Sequence, residues 1–423
     1  MKTIFKAITV GAALMTTVTA CAVAQDDTIE FLAFGDSGYH LEYQKAKVHK
    51  NPVKTKEAYI AGFTEKYAEK NFPLDRLPPP PLEYSAAMGG YVMESGMTAV
   101  ASGMKQYCTV EKCNFAVMLG DNIYPDGATL GTDGKDDATR FQDMFVEPFG
   151  DLGAAVKDFA IYVALGNHDW HTSREGALAQ VDFMEKTRPF YMDGLFYTVK
   201  PPAGKGDVEL FIVDTEVLLS STTVYDARLD ENGHPVSHTE VDDRDPWTVP
   251  ATEAERNMAA WLEQSLKNST AKWKFVIAHH PIWASAGSKF EQGKALAKLI
   301  LPSMCKYADG YFVGHEHTLE VHTDNCQTAL GTVAELPLPQ ILSGAASKQR
   351  PINPNFKAYQ DKNNPQNEAL WVQDMIYGFS HITLQGDMMT VKMMTTPNDG
   401  SYAPVEAFRH TFKRRSHLMS DKK

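Results

Sequence analysis

The residues best suited to chemistry fall into five short groups: Gly35-Asp36-Ser37-Gly38, Gly120-Asp121-Asn122-Ile123-Tyr124, Gly166-Asn167-His168-Asp169, Val276-Ile277-Ala278-His279 and Gly314-His315-Glu316-His317. Each stands at the end of a short apolar run. Carboxylates, a phenol, an amide and imidazoles brought to one place would make a metal site of oxygen and nitrogen donors. Taken singly, each group has a plainer reading: Gly-Asp after an apolar run is a common turn, Asn after a strand a common helix N-cap, and a lone His a common core residue. His315 and His317 are stronger together, because residues two apart at a strand end project to the same side. The joint occurrence is what informs, since the plain readings would all have to hold at once along one sheet edge.

That edge follows from the elements. Apolar runs rich in Val, Ile and Phe at Thr28–Phe34, Phe115–Leu119, Phe159–Leu165, Leu210–Val213, Phe275–Ala278 and Tyr311–Val313 predict the strands of an α/β core. Amphipathic stretches between them predict helices at about Ser85–Tyr107, Asp136–Phe149, Glu175–Lys186, Thr252–Lys267 and Lys289–Cys305, the fourth opened by Thr252 three residues before Glu255. In open α/β sheets the carboxyl ends of the strands share one edge, so Asp36, Asp121, Asn167, His279, His315 and His317 should converge there. From Pro337 to Met394 the pattern changes to apolar runs with a Gly386-Asp387 hairpin signal and no convincing helix, which predicts a second sheet. Polar, Pro-rich or acidic composition marks residues 39–84, 220–250 and 347–373 as loop insertions, the first holding a Lys-rich, helix-compatible piece read as a solvated face.

Composition sets the outer limits. A chain of 423 residues with 43% hydrophobic residues can bury a large core, and a net charge of -12 argues against a general nucleic-acid backbone binder. An acidic exterior would repel phosphorylated ligands too, so a phosphate site would need its own local positive field. Lys2 and Lys6 flank an apolar run from Ala7 to Ala20, too short to span a bilayer, which reads as an export signal over residues 1–24. Two cleavage sites compete: Val18-Thr19-Ala20-Cys21 is lipobox-like and would leave a lipid anchor on Cys21, whereas Ala22-Val23-Ala24 suits ordinary signal peptidase. The expected location is therefore periplasmic, secreted or lipid-anchored at the cell envelope, with residues 25–423 as one domain. Either cleavage leaves Cys108, Cys113, Cys305 and Cys326, for which three pairings are open; Cys108 with Cys113 and Cys305 with Cys326 is the simplest. A zinc-thiolate site is the rival, disfavoured because the four do not form two close C-x-x-C pairs.

The five groups, in this order, resemble the signature of the purple acid phosphatases, a branch of the calcineurin-like metallophosphoesterases. The wider superfamily places a His two residues after the first Asp; here that position is Gly38, and Tyr124 supplies the oxygen donor that marks the purple branch. The resemblance implies two mixed β-sheets packed as a sandwich flanked by helices (α/β in class), without the small N-terminal β-domain of the large plant-type enzymes. It implies two metal ions: Fe(III) held by Asp36, Asp121, Tyr124 and His317, and Fe(II), Zn(II) or Mn(II) held by Asp121, Asn167, His279 and His315, with Asp121 bridging. A phenol with hard carboxylates suits a strongly Lewis-acidic trivalent ion, and Asn with two imidazoles a divalent one. Such a pair activates water and steadies the leaving oxygen in an in-line displacement. His168 matches the histidine that meets the substrate phosphate and helps protonate the leaving group; its plainer reading is a supporting histidine oriented by Asp169, a pairing that would also raise its basicity, and Asn167 and His280 are further substrate-side candidates. Ser288 departs from the pattern, because many relatives carry a second substrate-facing His nine residues after the one matched by His279. His40, His171 and His322 could rim the site, but each reads first as a surface residue or one that supports the ligands from behind. The activity implied is hydrolysis of small phosphate monoesters, with phosphodiesters or nucleotide esters as the alternative and a metal-bearing, non-catalytic surface lipoprotein as the third reading.

Overall fold

The structure is a computed structural model that describes residues 28–415 apart from 44–52, 133, 135 and 238. The expected export signal and Cys21 lie outside the described residues. The chain first lays down β1 (Ile29–Phe34), a two-stranded hairpin of β2 (Leu82–Ser85) and β3 (Gly90–Met93), then β4 (Phe115–Leu119), β5 (Ile161–Ala164) and β6 (Phe190–Tyr191). It continues with β7 (Tyr197–Val199), β8 (Val208–Ile212), β9 (Trp273–Ile277), β10 (Gly310–Val313), β11 (Leu319–Asp324), β12 (Leu338–Ser343) and β13 (Asn367–Gln373). It ends in β14 (Gly378–Gln385), β15 (Met388–Thr395) and β16 (Val405–Lys413).

Two mixed seven-stranded sheets result, in the orders β16-β15-β14-β1-β4-β5-β6 and β13-β11-β12-β10-β9-β8-β7. Within them β1, β4, β5 and β6 run parallel, as do β12, β10, β9 and β8. Strands covered on both faces lose the polar–apolar alternation of a half-exposed strand, and every residue of β4, β5 and β10 is buried, which is why these runs were legible. The sheets meet through aromatic rings. Phe31 of β1 stacks on Phe115 of β4 at 4.7 Å between centroids and reaches across to Phe275 and Phe312 of the other sheet at 5.8 and 5.6 Å.

Helices include Met97–Val110, Arg174–Lys186, Met258–Asn268 and Phe290–Leu299, and the expected disulfides Cys108–Cys113 and Cys305–Cys326 are both formed. Thr252 caps its helix by accepting from the Glu255 amide.

Several expectations need correction. The helix expected from Ser85 begins only at Met97, because residues 82–93 form the β2–β3 hairpin. The predicted helices at 252–267 and 289–305 are each two pieces, broken at Asn257 and at Ile300; the second break precedes Pro302, which has no amide hydrogen to continue the ladder. The C-terminal part builds no sheet of its own: β12 and β13 join one sheet, while β14 pairs antiparallel with β1 in the other. It also holds a helix, Pro354–Asn363, so the stretch 347–373 expected as loop is in good part helix and strand. The Lys-rich segment of the first insertion forms the helix Lys56–Ala68, which buries Tyr59 and Phe63 with Val53 in a small separate cluster.

Candidate metal centre

The parallel strands of both sheets end at one edge of the sandwich, and the polar groups meet there. Asp36 follows β1, Asp121 follows β4, Asn167 follows β5, His279 follows β9, and His315 and His317 follow β10. Asp36, Asp121 and His315 adopt left-handed backbone conformations (φ 56°, 53° and 72°), which turn their side chains sharply off the strand ends. Non-glycine residues hold such conformations at a cost of order 1–3 kcal/mol, and this kind of strain concentrates at functional sites. Close backbone approach is part of the design: a Cβ on Gly166 would stand 2.4 Å from Asp121 Oδ1.

Two clusters result. One ligand atom from each of Asp36, Asp121 and His317 lies within 4.8 Å of the others, as does one from each of Asp121, His279 and His315, so Asp121 belongs to both. Tyr124, buried, donates its hydroxyl to Asp36 Oδ1 (2.8 Å) and Asp121 Oδ2 (2.6 Å) and lies 3.2 Å from His317 Nε2. His279 is held by its Nδ1 on the Leu119 carbonyl (2.8 Å), leaving Nε2 directed at Asp121 Oδ1 (3.3 Å) and His315 Nδ1 (3.0 Å). The His315 amide donates to Asp36 Oδ2 (2.7 Å). Asn167 opens the turn after β5: its amide nitrogen meets His171 Nε2 (3.3 Å), and its Oδ1 is buried without a hydrogen-bond partner. A buried, unsatisfied carbonyl oxygen costs free energy unless something electropositive faces it.

The electrostatics point the same way. Burial pushes Asp36 up to about 7. Asp121 is opposed by burial but held well below the usual carboxylate range by His279 and His168. Burial works against charge on His279, yet Asp121 and Asp36 push it up to about 9. Tyr124 is driven well above its ordinary value by burial and by the two carboxylates. Two carboxylates and a phenol thus share protons in a dry space that a cation would satisfy better; the donor set fits metal ions.

Comparison with known proteins agrees. Residues 99–319, a little over half of the chain, match the calcineurin-like phosphoesterase family. The chain belongs to that family. It is 27% identical over 238 residues to purple acid phosphatase 4 of Arabidopsis thaliana and 27% identical over 244 residues to purple acid phosphatase 17 of the same plant, covering 56% and 57% of this chain. The chain spans 59% and 61% of the length of those two relatives. In fold it is similar to the purple acid phosphatase PPD1 from yellow lupin seeds (TM-score 0.52, 14% identity, 94% of this chain and 55% of that one). It is similar also to GAP50, the anchor in the inner membrane complex of Plasmodium (TM-score 0.54, 15% identity, 92% and 89%).

As a calcineurin-like phosphoesterase of purple acid phosphatase resemblance, the chain has a physical reason for its glycine where the superfamily has a histidine. A Cβ on Gly38 would lie 2.0 Å from the Asn122 carbonyl oxygen, so this loop excludes any side chain there, and the Tyr124 hydroxyl occupies the cluster instead. His168 stands at the front of the site. Its Nδ1 meets the Pro125 carbonyl (2.6 Å), its ring lies 4.2 Å from that of Tyr124, and its Nε2 is 3.9 Å from Asp121 Oδ2.

Three of the alternative roles do not fit the geometry. Asp169 does not orient His168: its carboxylate accepts from the amides of Gly166, Asn122 and Ile123 and so ties the turn after β5 to the turn after β4. His280 has no exposed surface and its Nδ1 meets the Thr215 hydroxyl (2.8 Å), so it backs His315 rather than facing a substrate. His322 is buried in β11 between Glu320 and Asn367, away from any rim. His171 sits beside the site, on the Asn167 amide, and His40 contacts the Glu42 amide and the Tyr43 ring. Ser288 donates to Glu316, which also binds Arg350.

Sequence reasoning missed Lys348, whose ammonium lies 4.0 Å over the Tyr124 ring. The signal existed: Lys348 follows β12, which runs parallel to β10, so the rule that found the other residues also reaches this one.

Proposed function

We propose that this protein is an exported phosphoric ester hydrolase that acts on small phosphate monoesters with two metal ions, and the observation that carries the reading is the pair of buried donor clusters sharing Asp121. Asp36, Asp121, Tyr124 and His317 would hold one ion, for which the phenol and carboxylates favour Fe(III). Asp121, Asn167, His279 and His315 would hold a divalent iron, zinc or manganese ion. When bound, such ions supply Lewis acidity and lower the pKa of bound water. The chain supplies the rest. His279 is fixed by the Leu119 carbonyl and Asn167 by His171, so both present a donor atom without searching for it. His168 keeps the Nδ1 side on Pro125 and offers Nε2 to a leaving oxygen as proton donor. Lys348 brings a positive charge to the front of an otherwise acidic protein, where a phosphate would arrive. Two disulfides and the leader-like first residues support export.

The test combines metal analysis of the purified protein with parallel assays on a simple aryl phosphate and a bis-aryl phosphodiester. About two ions per chain with faster turnover of the monoester is expected. Preference for the diester would replace the monoesterase reading with a phosphodiesterase, and no turnover of either with both ions bound would leave a binding protein.

A further inference from the structure

Beside the metal centre lies a cavity of about 510 Å³ whose walls come largely from this chain's insertions. The helix Lys56–Ala68 and its following turn supply one wall, residues 227–229 a second, and the loop 286–289 with Arg350 a third. The Asn71 side chain donates to the Leu229 carbonyl (2.9 Å) and joins the first two walls. The lining carries five cations, Lys66, Lys70, Arg228, Lys289 and Arg350, against one carboxylate, Glu69. In a chain of net charge -12 such a concentration is a local departure that costs self-repulsion.

Not all of that charge is compensated. Glu316 binds Arg350 from behind, and Glu240 and Asp226 bind Arg228. The ammonium groups of Lys70 and Lys289 meet no carboxylate within ion-pair distance among the described residues; both feel Arg350, and Lys70 also feels Lys66 and Lys289. Burial and those neighbours push Lys70 down to about 8, a group that an anion would restore to its ordinary charge. The cavity also abuts the metal centre: the Arg350 amide donates to the His317 carbonyl (3.1 Å), and Ser288, on the cavity wall, shares Glu316 with Arg350.

We infer that this basic cavity is a second phosphate subsite, which seats the remote phosphoryl group of a doubly phosphorylated small molecule while the first is hydrolysed at the metal centre. The inference rests on the phosphatase reading above. A guanidinium fork with two ammonium groups suits a dianion with three acceptor oxygens better than a single carboxylate.

The experiment uses metal-loaded protein and a matched pair of substrates, fructose 1,6-bisphosphate and fructose 6-phosphate, with tripolyphosphate binding measured by calorimetry. The ratio of kcat/KM for the bisphosphate to that for the monophosphate should fall about tenfold or more in Lys70→Gln and in Lys289→Gln, the loss of one charge-assisted contact each, and Lys70→Arg should keep it. Tripolyphosphate affinity should fall in parallel. An unchanged ratio in both Gln variants overturns the assignment; if binding is nevertheless lost, the cavity takes free anions and not substrate. If wild-type protein hydrolyses neither sugar phosphate nor the aryl esters, the phosphatase reading fails. The cavity is then judged on tripolyphosphate alone, with loss of binding in the Gln variants upholding a phosphate site and retention refuting it.

Discussion

Tyr124→Phe separates the purple branch from the wider family. In the metal-free protein the Tyr124 hydroxyl is the proton shared by Asp36 and Asp121, at 2.8 and 2.6 Å, and its pKa is driven well above the ordinary value. A cation that takes the phenol as ligand must displace that proton, so binding at this position releases it and tightens as pH rises. Asp36, pushed up to about 7 by burial, loses its proton in wild type and variant alike; the variant, without the Tyr124 hydrogen bond that lowers it, holds that proton more tightly, and below pH 7 the two contributions largely offset. One proton of difference means a factor of ten in affinity per pH unit, so between pH 5 and 7 the wild type should gain roughly 10²-fold more than the variant. Competition titration of iron against a chelator at three pH values measures it. Without metal the variant should also be less stable, by about 1–3 kcal/mol for each buried carboxylate oxygen left without its donor. Oxidised, iron-loaded wild type should show a visible absorption band that the variant lacks, because a phenolate is needed for that charge transfer. Equal pH slopes together with an unchanged band would show that Tyr124 is no ligand.

Three further outcomes are expected. His168→Ala should lower turnover roughly 10² to 10⁴-fold with metal content intact, and less for esters whose leaving group needs no proton; an equal loss across leaving groups would assign His168 to phosphate positioning. Asp169→Asn should act on stability, by about 1–3 kcal/mol in denaturant titration of the loaded protein, since its carboxylate accepts three backbone amides; full stability with a large loss of turnover would return Asp169 to the chemistry. Reduction of Cys305–Cys326, which closes a 21-residue separation around His315 and His317, should cost about 3 kcal/mol on a loop-closure estimate while leaving the ions bound. Four titratable thiols in native protein would contradict both bridges.

The donors were legible because each follows a parallel strand buried along most or all of its length, and such strands read as apolar runs. The edge they share follows from topology alone. What hid from sequence was direction and partnership. His280 looks as available as His279, but on a strand end adjacent side chains diverge, and it turns to Thr215. Asp169 looks like a partner for its neighbour His168, but the strained turn at Asp121 presents two amides, Asn122 and Ile123, that it binds instead together with the Gly166 amide. The hairpin at 82–93 was lost in an amphipathic pattern continuous with the true helix. The pairing of β14 with β1 leaves no local trace, because register across more than 300 residues is not written in either segment alone.

That last pairing governs when the site can exist. β1, which carries Asp36, is held on one side by β4 and on the other by β14, and Ser347 fixes the Asp36 and Tyr39 backbone from the far end of the chain. Contacts this distant in sequence form late, after most of the loop-closure entropy has been met. During synthesis the nascent chain therefore carries scattered carboxylates and imidazoles but no assembled cage. The metals present where residues 343–385 dock against β1 are therefore the first that the assembled cage can meet, so the place of final folding acts beside the preference of the ligands.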